Sequence, residues 1–232
     1  MSSNSSGDSS PESSRSFLGT QAEGVSAATE VASFTNLRIL EPNNQIRELQ
    51  TILRDVGTTR SDFVFYADRL AKEGLNCLPS YKRTVTTPTG HEYEGEWFEK
   101  MNCGVSIMRN GEAMEKGLRD CCRSMRIGKI LIRRELGAES PRVYYAKFPP
   151  QIENRQILLL YPALETGATV VTALHVLKEH GAKEKKIVIV TLFSTPQAVK
   201  NILTKFPDVK MLTSEVHRVC PTHFGLNYFG SD

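Results

Sequence analysis

Long apolar runs are missing from this 232-residue chain. None approaches the ~18–20 residues that a membrane-spanning helix needs, so no membrane partner is expected. The opening Met-Ser-Ser-Asn-Ser-Ser-Gly-Asp has neither a basic region nor an apolar core, which argues against a secretory signal. Cysteine is sparse: five residues, an odd number without paired spacing. That pattern excludes a disulfide framework and fits reduced thiols in the cytoplasm or the nucleus. Cys121 and Cys122 are adjacent and can hardly bridge each other without strain. Neither charge sign dominates. A formal net charge of +3 with dispersed Lys and Arg excludes the clustered basic surface of a nucleic-acid binder. Both Gly-x-x-x-x-Gly-Lys-Ser/Thr and Gly-x-Gly-x-x-Gly are absent, so the standard ATPase and dinucleotide phosphate loops are excluded.

What is present is the make-up of one globular domain, with 40 % hydrophobic and 24 % charged residues. Residues 1–32 are Ser-rich and poor in large apolar side chains, and are expected to be a disordered tail. They hold Asp8, Glu12, Glu23 and Glu30 against Arg15, which leaves residues 33–232 with the basic excess. A modest excess of that sign suits an anionic small molecule. Helical and strand-like patterns alternate along residues 33–232. Asn44–Asp55 and Asp62–Lys72 read as helices, Lys186–Phe193 and Val209–Thr213 as buried strands, and the stretch from Val85 to Phe98 as two strands around a turn. The fold class is therefore α/β, with a twisted, largely parallel sheet and helices on both faces.

Residues 156–169 are the most informative stretch. An apolar run ends at Tyr161-Pro162-Ala163-Leu164-Glu165, Thr166-Gly167-Ala168-Thr169 makes a small-residue turn, and an amphipathic helix follows that Gly181 can close. A strand, a tight loop and a helix N-terminus in succession form a natural seat for a phosphate, because first-turn N–H groups lack partners. The same spacing also describes an ordinary turn that binds nothing, and spacing leaves both readings open.

Four other segments settle the comparison: Cys103–Glu115, Arg126–Ile132 with Arg133-Arg134-Glu135, Tyr144–Pro149, and Phe224–Gly230. With the loop, they resemble in order and spacing the blocks of the uracil phosphoribosyltransferase family, above all its animal members. Those blocks read Gly-Val-Ser-Ile-x-Arg-Ala-Gly-Glu-x-Met, Gly-Lys-Ile-Leu-Ile-x-Arg-Asp, Tyr-x-Lys-Leu-Pro, Asp-Pro-Met-Leu-Ala-Thr-Gly-Gly-Ser and Phe-Gly-Asp-Arg-Tyr-Phe-Gly. The resemblance covers about residues 36–232 and implies the phosphoribosyltransferase fold, with 5-phosphoribosyl-1-diphosphate (PRPP) and uracil as ligands and UMP and diphosphate as products. It implies PRPP contacts at Arg109, Arg134, the loop 161–169 and His223. It implies a uracil site at His217, Thr222, His223 and Phe224. A GTP activator site would fall on Arg60, Arg69, Glu99, Lys100, Met101, Asn102, Arg126 and Arg155. Mg²⁺ would accompany PRPP with no dedicated protein metal site, and a homo-oligomer, dimer or tetramer, is implied.

The chain also departs from the family. Tyr161 stands where the phosphate loop opens on Asp, and Glu165 stands where it has Ala. The base loop is shorter, with Thr222 in the place of a Gly and His223 in the place of an Asp. These changes leave two readings: an active transferase, or a nucleotide- or PRPP-binding protein of impaired catalysis that serves as a regulatory or interaction partner. His217-x-x-Cys220-x-x-His223 has a spacing that superficially suits zinc, but the other three histidines are scattered and form no second cluster.

Overall fold

The computed structural model describes residues 27–75, 80–98, 103–122, 125–133, 141–221 and 223–230. Arg134, Thr222 and the stretch Glu99, Lys100, Met101 and Asn102 lie outside them, as does the expected tail up to residue 26. Residues 27–32 are already packed: Ala27 and Val31 are buried in the core, and Glu30 pairs with Lys200 and Arg218. Packed residues are thus found on the tail side of the boundary expected from composition. Ser-rich composition hid two well-placed apolar side chains.

The elements follow in order as β1 (Leu37–Ile39), α1 (Asn44–Arg54), α2 (Arg60–Leu75), β2 (Ser80–Thr86), β3 (Glu92–Phe98), β4 (Cys103–Met108), α3 (Glu115–Cys121), β5 (Arg126–Arg133), β6 (Arg142–Lys147), β7 (Ile157–Leu160), β8 (Ala163–Leu164), α4 (Ala168–Glu179), β9 (Ile187–Ser194), α5 (Pro196–Lys205), β10 (Lys210–Val216) and α6 (Phe224–Phe229). Asn43 caps α1, its side chain accepting from Ile46 N–H, and Thr195 caps α5 with Pro196 at the first turn. The hairpin β2–β3 forms its own antiparallel pair.

The main sheet has the order β1-β10-β9-β7-β4-β5-β6, with β8 pairing on β9. Every pair is parallel except β5–β6. Strand β7 is buried along its whole length, and its alternate residues face opposite ways. Ile157 and Leu159 join one core with α4 and α5; Leu158 and Leu160 join the other with α1, α2, α3 and α6. Strand order reverses between β4 and β7. The chain moves outward one way from β4 to β5, then the other way through β7, β9 and β10. Such a reversal opens a crevice beyond the carboxyl ends of the two strands, where ligands of open α/β sheets bind. Here Asn110, just after β4, and Tyr161, just after β7, reach that crevice.

Candidate functional site

The loop after β7 is held through its carbonyls. Pro162 O accepts from the N–H groups of Leu192 (2.9 Å) and Phe193 (3.0 Å) and from the Thr191 hydroxyl (3.1 Å). Thr195 N–H donates to Leu164 O at 3.0 Å, the Thr195 hydroxyl to Glu165 O at 2.5 Å, and the Asn201 amide to Thr166 O at 2.8 Å. With its acceptors turned back onto the scaffold, the loop presents the first turn of α4 to the cleft. Gly167 makes this turn possible. Its φ is +74°, and a Cβ there would sit 3.0 Å from Ile202 and 3.1 Å from the Ala198 carbonyl.

The base loop descends from β10. His217 N–H donates to Ser194 O at 2.9 Å, and the His217 Nδ1 accepts from Val219 N–H at 3.1 Å. Arg54 on α1 supports the loop from outside the sheet. Its Nε donates to Glu215 at 2.9 Å, its Nη1 to Val219 O at 3.0 Å, and its guanidinium lies 5.1 Å from the centre of the Phe193 ring. His223, in the left-handed region at φ 59°, starts α6. That short helix is pinned by its side chains: Phe224 meets Phe63 edge-on at 5.0 Å, and the Tyr228 hydroxyl donates to buried Asp68 at 2.6 Å.

The two loops line one cleft of about 260 Å³, with Asn110, Tyr161, Ala163–Thr169, Cys220, Pro221, His223 and Phe224 on its walls. None of these described lining residues is Lys or Arg, and Glu165 is the one carboxylate among them. Burial pushes the Tyr161 phenol above the usual tyrosine range, with the neighbouring Asn110 and Thr169 side chains acting in the opposite sense, so it stays protonated at neutral pH. Burial likewise pushes the Cys220 thiol up to about 12, with the Glu165 charge acting in the same sense, so it is no nucleophile at neutral pH.

Most residues expected to hold PRPP therefore meet: Tyr161, Ala163, Leu164, Glu165, Thr166, Gly167, Ala168, Thr169 and His223 all reach the cleft. Pro162 is buried and acts through its carbonyl. Arg109 is not among the lining residues; its guanidinium lies 5.6 Å from the centre of the Phe229 ring. Phe224 lines the base end with His223, whereas His217 does not reach the cleft.

Among the arginines of the expected GTP site, Arg60 donates to Tyr228 O (3.3 Å), Arg69 faces Gln45, and Arg155 donates to Pro150 O (2.9 Å). Arg126 lines a separate groove of about 420 Å³ with Lys129, Tyr145, Lys147 and Pro150.

Sequence reasoning missed Asn110, Cys220, Pro221 and the supporting Arg54. A signal for Asn110 was in plain view, since it stands where the family block reads Ala.

A family model described as uracil phosphoribosyltransferase matches residues 40–224. The chain is 61 % identical over 200 residues to a Danio rerio protein named uracil phosphoribosyltransferase homolog, covering 84 % of this chain and 78 % of that one. It is 58 % identical to the human protein of the same name, over 84 % of this chain and 65 % of the human one. It is 46 % identical to the uracil phosphoribosyltransferase of Dictyostelium discoideum, over 85 % and 97 % of the two chains. Among solved structures, a protein of Aquifex aeolicus superposes with a TM-score of 0.65 at 18 % identity, covering 83 % of this chain and 97 % of that one. An adenine phosphoribosyl transferase of Trypanosoma brucei gives 0.51 at 9 % identity, over 79 % and 84 %. At those identities the structural likeness concerns the fold alone.

Proposed function

The chain belongs to the uracil phosphoribosyltransferase family, and on that premise we propose that it binds 5′-phosphoribosyl ligands, PRPP and UMP, with little remaining power to transfer uracil. One observation carries the reading. The phosphate loop, through Tyr161 and residues 163–169, and the base loop, through Cys220, Pro221, His223 and Phe224, line a single cleft at the point where strand order reverses. The 5′-phosphate sits at the first turn of α4, where backbone N–H groups and the hydroxyls of Thr166 and Thr169 donate. The ribose lies against Tyr161 and Asn110, and the base against Pro221, His223 and Phe224.

Transfer makes a different demand. Departure of diphosphate needs preorganised positive charge where negative charge accumulates, and no protein nucleophile. The described cleft walls supply neutral groups and one carboxylate. Glu165 opposes an incoming phosphate and at the same time offers one oxygen ligand set to Mg²⁺. That ion commonly binds through one or two carboxylates and the substrate's own phosphates, so the donors present fit a magnesium carried in with PRPP. Its role there is to neutralise diphosphate oxygens. The resemblance would assign the cationic side to Arg109 and Arg134, but Arg109 is not among the residues lining the cleft and Arg134 lies outside the described residues. A second copy of the chain, or GTP on Arg126 and Arg155, is the further partner consistent with the family.

Calorimetry with PRPP and with UMP, with and without MgCl₂ and GTP, tests binding. Conversion of labelled uracil to UMP tests transfer. Binding with transfer at the limit of detection is expected, and His223→Asp with Tyr161→Asp should raise transfer. Robust transfer by the unaltered protein would remove the second half of the reading. Failure of both ligands to bind at millimolar concentration would remove the first.

A further inference from the structure

Resting on that reading, we propose that Glu30 is a positioning residue that clamps the two walls of the cleft together from their outer supports. A ligand that spans both walls then depends on it, and a ligand seated on one wall does not. The Glu30 carboxylate bridges two cations. One oxygen accepts from Arg218 at 2.7 Å and the other from Lys200 at 3.3 Å. Arg218 belongs to the base loop, just before Cys220 and Pro221, which line the cleft. Lys200 belongs to α5, the platform of the phosphate turn. Its neighbour Asn201 donates to Thr166 O at 2.8 Å, and Ala198 and Ile202 back onto Gly167. One side chain thus joins the supports of both walls.

The segment that carries Glu30 is itself fixed. Ala27 and Val31 are fully buried and share one core with Val199 and Ile202 of α5 and with Val216, the last residue of β10. Turn hydrogen bonds hold the backbone there, Val31 N–H to Ala28 O at 3.2 Å and Phe34 N–H to Val31 O at 3.1 Å. The carboxylate is therefore presented from an anchored turn. At the residue after Arg218 the base loop is tied again, by Arg54 donating to Val219 O at 3.0 Å. Lys200 and Arg218 are half-exposed, and ion pairs of that kind add little to global stability. Their effect falls on preorganisation instead. Without the bridge the base loop and the phosphate turn can drift apart, and a ligand that spans them must bring them back into register. On the reading above, UMP spans both walls, whereas ribose 5-phosphate meets the first turn of α4 and the sugar end alone.

The test uses the full-length protein and calorimetry with UMP and ribose 5-phosphate. Both ligands carry the same phosphate, so a change in the protein's overall charge acts on both and cancels in the ratio of their dissociation constants. Glu30→Gln should weaken UMP about three- to tenfold and leave ribose 5-phosphate within about twofold. Arg218→Gln, at the other end of the bridge, should reproduce the selective loss, and in the Glu30→Gln background it should add little more. Rising salt screens an exposed bridge, so it should move the wild-type ratio towards that of Glu30→Gln, whose own ratio should stay flat. A merely structural role for residues 27–34 would weaken both ligands alike and give no such salt dependence. Equal weakening of the two ligands, or an unchanged ratio in Glu30→Gln, overturns the proposal while leaving phosphosugar binding standing. Failure of both ligands to bind the unaltered protein overturns the underlying reading and the proposal together.

Discussion

Replacing Gly225 by Ala probes the contact on which the cleft geometry depends. The added methyl would lie 2.0 Å from Asn110 Oδ1 and 3.1 Å from its Cγ. The first distance is roughly 1.5 Å short of van der Waals contact. Either α6 shifts or the Asn110 side chain swings aside. Overpacking of this kind costs about 1–3 kcal/mol. Against this, Ala favours a helix over Gly by at most about 1 kcal/mol. The expected net loss is about 1–2.5 kcal/mol by urea denaturation. The three nearest atoms to that methyl all belong to Asn110. In an Asn110→Ala background the clash therefore disappears, and Gly225→Ala should be neutral or slightly stabilising. The double-mutant cycle should give a coupling of about 1.5–3 kcal/mol. An equal cost of Gly225→Ala in both backgrounds would refute the contact and the placement of Asn110 with it.

Three further outcomes follow from the same packing. Tyr228→Phe removes the hydrogen bond to buried Asp68, leaving it to Lys116, and should cost about 1.5–3 kcal/mol in urea denaturation; a change near zero contradicts the anchoring of α6. A chain begun at residue 36 lacks Ala27 and Val31 and should be about 2–4 kcal/mol less stable than one begun at residue 27, and equal melting would place residues 27–35 outside the core. Burial raises the Cys103 thiol to about 11 and the Cys220 thiol to about 12, from a usual 9.0. The folded chain then keeps protons that the unfolded chain releases. This contribution is complete below about pH 9 and falls by about 1.4 kcal/mol per pH unit per thiol as pH rises towards 11 and 12. Comparing wild type with Cys220→Ala at pH 8, 9.5 and 10.5 checks it, and parallel stability curves would refute it.

The fold was legible where the physics is local. Ile157–Leu160 reads as a buried strand because four apolar residues end at a Pro. Thr195-Pro196 reads as a helix start because a hydroxyl can cap and a proline can sit in the first turn. The second helix ran longer than expected, Arg60–Leu75 against Asp62–Lys72, because helix ends take their limits from packing: Gly74 and Leu75 are buried against the body. The packing of residues 27–32 was not legible for a related reason. Composition averages over a window, whereas Ala27 and Val31 matter through where their two side chains land.

The site was legible only in part, and the part that was hidden is non-local. The phosphate loop announces itself in one stretch of chain, Tyr161–Thr169. Its other walls bring residues 110 and 161 together with 110 packed on Gly225, and Arg54 reaches across to residues 215 and 219. No periodicity encodes such meetings. What the sequence offers is a pair of departures that look independent until topology places them side by side. Asn110 and Tyr161 line the same cleft, one after β4 and the other after β7. The carbonyl end of Asn110 is accommodated by the absence of a side chain at Gly225 on α6, since a Cβ there would fall 2.0 Å from it. The departure at 110 is thus matched by the packing of a third element, and a consistent fit across separate segments is what a site kept for binding requires.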